Sequence, residues 1–203
     1  MNTYNTNIAQ ALQKHLADYD FFFSFDATKG VFMFPLGMDG KVNTLLYHII
    51  VNEHGFTTIA HFPLAPSPCD AKTMYSMTHF SNFANDVLPN AVFAIDPDDG
   101  EINAKFYCCC RGLEAPTDGM IAESIKIPCL LFEKYQEGIL QILFGHRSAK
   151  EAFEFCEGSN VPLQEVEPER RCTTFSLGAF LHRKNADEDS SAEDAEYTSV
   201  NDI

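Results

Sequence analysis

Cys108-Cys109-Cys110, followed by Arg111, is the run of side chains with the most obvious chemical potential. A thiolate is both a nucleophile and a metal ligand, and a neighbouring cation lowers a thiol's pKa. Such a run could therefore bind metal or act as a redox sensor. Strand geometry argues against the metal: successive side chains point to opposite faces, so Cys108 and Cys110 share one face while Cys109 points away. The redox reading requires at least one exposed thiol of low pKa. The other four cysteines, Cys69, Cys129, Cys156 and Cys172, are scattered, the total of seven is odd, and no pair is spaced C-x-x-C. That matches neither a secreted disulfide framework nor a zinc knuckle, so reduced thiols are expected.

Asp96-Pro97-Asp98-Asp99-Gly100 has the residue types of a calcium loop but not the spacing. An EF-hand needs its glycine sixth and a bidentate glutamate twelfth, whereas here Gly100 stands fifth and Tyr107 twelfth. A hairpin turn is the expected structure. The histidines His15, His48, His54, His61, His79, His146 and His182 form no H-x-x-x-H or H-E-x-x-H pattern, although His48 and His61 are expected to approach across adjacent strands. They read as satisfied or surface residues rather than ligands. There is no G-x-S-x-G, G-x-x-x-x-G-K or G-x-G-x-x-G. No catalytic, metal or cofactor-binding residue is assigned, no cofactor is expected, and the chain reads as non-enzymatic.

The elements around these residues follow from periodicity. Ile8, Leu12, Leu16 and Tyr19 recur at helical spacing, with Asn5 or Asn7 available as cap. Phe21 to Phe25, Val31 to Leu36, Val42 to Val51 and Phe56 to Phe62 read as an antiparallel meander, separated by turn-forming stretches at 26–30, 39–40 and 52–55. Pro63, Pro66 and Pro68 then forbid a continuing element. A second helix carries Met74, Met77, Phe80, Phe83, Val87 and Leu88 and ends at Pro89-Asn90. Its stripe reads as core, with an adaptable Met-rich peptide surface as the alternative.

A hairpin of Ala91 to Asp96 and Glu101 to Cys110 follows, then a third helix capped by Thr117 or Asp118. This helix carries Ile121, Ile125, Leu131, Tyr135, Ile139 and Ile142, and Pro128 implies a kink or a break. Ala149 to Cys156 reads as a short fourth helix. Beyond Gly158 apolar density falls towards an acidic tail, interrupted by the apolar stretch Thr173 to Leu181, which could dock as a strand on its own domain or a neighbour.

Composition limits the partners. Fourteen basic against 29 acidic residues give a formal charge of -15, which repels nucleic acid and anionic lipid. No apolar run approaches the roughly 18 residues of a membrane span, and Met1 to Asp20 do not read as a signal peptide. The expected location is the cytoplasm.

The order helix, meander, helix, hairpin, helix is where a resemblance enters. Asn85-Asp86-Val87-Leu88-Pro89-Asn90-Ala91-Val92-Phe93-Ala94-Ile95-Asp96, then Asp99-Gly100-Glu101-Ile102 and Lys105, resembles the YbjN family of bacterial sensory-transduction regulators. Glu133 to Ile139, with Tyr135 and Gly138, and Gly145 look like that family's final helix. The resemblance covers roughly Met1 to Cys156 and departs from the family at Ala91, where glycine is usual, at the cysteine triplet and after Gly158. It implies the α+β fold of type III secretion chaperones, with an antiparallel sheet flanked by helices, and a homodimer. Asn85, Phe93, Asp96, Asp99, Gly100, Lys105, Tyr135 and Gly138 match the family's motifs in roles that look structural.

The expected organisation is a YbjN-like domain over 1–158 and a C-terminal extension over 159–203. The expected function is a chaperone-like or regulatory adaptor that binds an unidentified protein partner. The competing reading is a thiol-based redox sensor or enzyme centred on Cys108 to Cys110.

Overall fold

The computed structural model describes residues 4–88 and 90–158. Pro89, Cys172, the stretch Thr173 to Leu181 and the rest of the 159–203 extension lie outside the described residues.

Helix α1 runs Thr6–Asp18, and Asn5 caps it by accepting hydrogen bonds from the backbone N–H groups of Asn7 and Ile8. Ile8, Leu12 and Leu16 are buried as their spacing requires. Tyr19 is not: the helix has ended, Tyr19 is its C-cap, and the side chain is exposed. The meander forms with shorter strands than the sequence suggests: β1 Ser24–Asp26, β2 Val31–Gly37, β3 Thr44–Val51 and β4 Gly55–His61. Phe21 stays outside β1 because its N–H still bonds the Leu16 carbonyl of α1. Val42 stays outside β3 because its N–H is taken by Gln136 Oε1 at 3.0 Å.

Helix α2, Ala71–Asp86, follows the proline linker and buries Met77 and Phe80. Its stripe is therefore core at the centre, while Val87 lies beyond the helix and is exposed. The hairpin is β5 Val92–Ile95 and β6 Ile102–Cys109. Helix α3, Asp118–Leu143, is capped by Thr117 and passes unbroken through Pro128. Proline has no N–H for the Ser124 carbonyl and weakens the ladder there. Buried side-chain bonds gather at this turn: Tyr47 Oη donates to the Ile125 carbonyl at 3.0 Å, Ser124 Oγ to the Ile121 carbonyl at 2.7 Å, and Thr58 Oγ1 to Ser124 Oγ at 3.1 Å. Helix α4, Ala149–Gly158, completes the domain.

The fold is α+β: four helices and one antiparallel six-stranded sheet of order β1-β2-β3-β4-β6-β5. Register sorts its residues. Phe25, Phe32, Tyr47, Thr58 and Phe106 form one cross-strand row, and the face they mark meets α3 through the Tyr47 and Thr58 bonds and the Phe93–Phe132 ring contact. Helices α2 and α4 join α3 at Tyr135, which packs against Phe80 and Phe153. On this side Phe32, Phe34, Tyr47, Phe56, Phe132 and Tyr135 are completely buried.

Candidate functional site

The family-like residues divide by place. Asn85, at the end of α2, clamps the edge strand β5: its Oδ1 accepts from the Phe93 N–H at 2.7 Å, and its Nδ2 donates to the Phe93 carbonyl at 3.0 Å. Phe93 is buried between Phe132 and Tyr135. Asp96 Oδ1 accepts from Asp98 N–H and Asp99 Oδ1 from Glu101 N–H, so both carboxylates stabilise the hairpin turn. Gly100 has φ +78°, and a Cβ there would lie 2.3 Å from the Pro66 carbonyl oxygen. Glycine is required at that position on both counts.

Tyr135 is completely buried, its hydroxyl donating to Glu157 Oε1 at 2.6 Å, and burial pushes its pKa well up so that it remains a donor. Glu157 is opposed by burial, but hydrogen bonds from Lys134 and Tyr135 hold its carboxyl below the usual range. Gly138 lets α2, α3 and α4 approach, since a Cβ there would lie 2.8 Å from both Cys156 Sγ and Phe80 Cε2. Lys105 stands apart from these packing roles as an exposed residue of β6.

The cysteine run alternates across β6 as strand geometry requires: Cys108 and Cys110 are buried and Cys109 is exposed. Burial pushes the Cys108 thiol up to about 12 and also raises Cys110. Among the described residues no group of three or more His, Cys, Asp or Glu side chains could hold a metal ion.

Sequence reasoning did not separate out the second face of the sheet. Register assigns to it Val31, Met33 and Pro35 of β2; Leu46, His48 and Ile50 of β3; Thr57, Ile59 and His61 of β4; Asn103, Lys105, Tyr107 and Cys109 of β6; and Val92 of β5. An antiparallel sheet packed on one face ordinarily turns polar residues outward on the other. Here the outward positions of β2 and β3 are mostly apolar, and β2, β3 and β4 contain no Asp, Glu, Lys or Arg at all, in a chain of net charge -15. Val92 and Tyr107 remain more than half exposed, at 53% and 55%.

His48 and His61 meet on this face, ring centroids 4.7 Å apart. His61 Nδ1 lies 2.8 Å from Glu101 Oε1, an ion-pair distance without hydrogen-bond geometry. Asn103, opposite His61 in the register, is buried with its Oδ1 lacking a hydrogen bond. A signal for this face was present in the absence of charge from residues 42–51 and from 31–37, but a strand apolar at both parities does not reveal which side faces the helices. Among the described residues, no helix is long and apolar enough to cross a membrane.

No family model matches the chain, and neither a curated protein nor a solved structure matches it.

Proposed function

We propose that the chain is a non-enzymatic protein-binding module, a chaperone-like or regulatory adaptor related to the YbjN family. It would act in the cytoplasm as a homodimer and hold an extended or helical protein segment against its sheet. The observation that carries this reading is the uncharged, largely apolar sheet face opposite α3. Apolar surface of this extent in a strongly acidic chain is characteristic of a protein contact. Depletion of charge with retained aromatic residues is the composition of an interface core. The acidic balance favours basic partner segments over nucleic acid or anionic membranes. Further support comes from the element order, which is the one the secretion-chaperone likeness implies. The redox alternative is weakened because two of its three thiols are buried with raised pKa values.

The test is affinity capture with the full chain and with an Ile50→Lys variant from the same lysate, each bait first checked for native circular dichroism. A partner retained by the parent and lost by the folded variant supports the module. A partner equally retained by both would remove the face from the account, and no partner for either bait would remove the adaptor reading.

A further inference from the structure

We infer that two copies of this chain pack sheet to sheet through the face opposite α3, centred on Ile50, Ile59 and Tyr107. This rests on the reading of that face as a docking surface and names its occupant.

The geometry is continuous. Ile50, Thr57 and Tyr107 form one cross-strand row, and His48, Ile59, Lys105 and Val92 form the next, so the exposed Tyr107 and Val92 extend the apolar centre towards the β5 edge. Each strand residue covers about 16 Å² of sheet, from a spacing of about 4.8 Å and a rise of about 3.3 Å. The six strands thus present about 600 Å², and two faces together bury about 1,200 Å², the lower limit for a specific, stable interface.

Charge favours a second copy as the occupant. Two chains of net charge -15 repel wherever their acidic surfaces meet. The strands β2, β3 and β4 carry no charged residue, so stacking them against the same strands of another copy buries no uncompensated ion. The two charged strand residues of this face stand on opposite flanks, Asp26 on β1 and Lys105 on β6. A twofold axis running along the strands lays each flank over the other, setting unlike charges at both margins while the neutral centre meets itself.

Sedimentation equilibrium of the full chain over a range of concentrations, with three variants, decides the matter. The expected result is a species of twice the 22.7 kDa chain mass. Ile59→Lys and Tyr107→Glu each weaken it by at least about 30-fold, the effect of a hot-spot truncation. Tyr75→Glu, on exposed α2 surface, leaves it unchanged. Because Tyr107 is exposed, its variant keeps the test valid if Ile59→Lys does not fold.

A chain that remains monomeric overturns the inference. So does a dimer unaffected by both face variants or broken by Tyr75→Glu. Alkylation of Cys109, on the same face, identifies the alternative in a monomer: protection would mean that the chain's own 159–203 segment occupies the face. A monomer whose partner capture still requires Ile50 overturns self-association and leaves the adaptor reading standing. A face-dependent dimer that captures nothing does the reverse.

Discussion

Replacing Gly138 by alanine tests how closely α2, α3 and α4 meet around a residue that the sequence reading placed among the structural motif positions. The new Cβ would lie 2.8 Å from Cys156 Sγ, 2.8 Å from Phe80 Cε2 and 2.9 Å from Phe80 Cζ. Unstrained carbon contacts sit at about 3.5–4.0 Å, so both neighbours must retreat, and each is only 1% exposed. Overpacking of this kind costs about 1–3 kcal/mol, and two crowded neighbours place Gly138→Ala towards the upper end. Helix propensity returns about 1 kcal/mol when glycine becomes alanine. The net loss is about 1–2 kcal/mol, a fall in melting temperature of about 2–8 °C for a domain of this size.

Differential scanning calorimetry with urea unfolding measures the effect. Gly119→Ala is the control, because its Cβ would meet nothing closer than Thr117 Oγ1 at 3.9 Å, and it should be neutral or stabilising. Adding Cys156→Ala to Gly138→Ala removes one of the two clashes, so the pair should be less destabilised than the sum of the single changes. If Gly138→Ala proved as stable as the parent while Gly119→Ala gained stability, the close approach of the three helices would be refuted.

Asn85→Ala removes both hydrogen bonds to Phe93 and leaves two backbone groups of an edge strand unpaired, so urea unfolding should register a loss of about 1–3 kcal/mol. The Glu157 carboxyl has a folded pKa below its unfolded value, so its stabilisation is present above about pH 4.5 and is lost as pH falls through the folded pKa. Urea midpoints of Glu157→Gln should therefore fall less steeply than those of the parent below about pH 4.5; parallel curves would remove the Lys134–Glu157–Tyr135 group as an acid-sensitive element. Timed alkylation with peptide mass spectrometry should label the exposed Cys69 and Cys109 before the buried Cys108 and Cys110. Rapid labelling of Cys108 would reopen the redox reading.

Much of the fold is legible in the sequence because local signals and tertiary demands agree. Asn5 stands where a cap is needed, Ile8, Leu12 and Leu16 mark one helical face, and Gly100 supplies the positive φ of the hairpin. Alternation across β6 gives the burial of the cysteine run, and the approach of His48 to His61 follows from strand adjacency. The differences arise where non-local bonds prevail. Gln136, distant in sequence, takes the Val42 N–H and delays β3, while the Leu16 carbonyl keeps Phe21 with α1.

Pro128 left a kink or a break open. The continuous α3 depends on Tyr47, Thr58 and Ser124, which the fold brings together from three separate elements. For the candidate site, the missing charges were visible but the side they faced was not. Val31 to Leu36 is apolar at both parities, and only the register with β3 separates Phe32 and Phe34 from Val31 and Met33.

The central claim is that another protein covers the uncharged sheet face. Its most direct test is a photoreactive amino acid at position 107, with the same group at position 75 on α2 as reference, irradiated in living cells. The account expects discrete protein adducts from position 107, one of them containing a second copy of the chain, and none matching them from position 75. Adducts from position 75 alone, or none from position 107 in a folded protein, would contradict it.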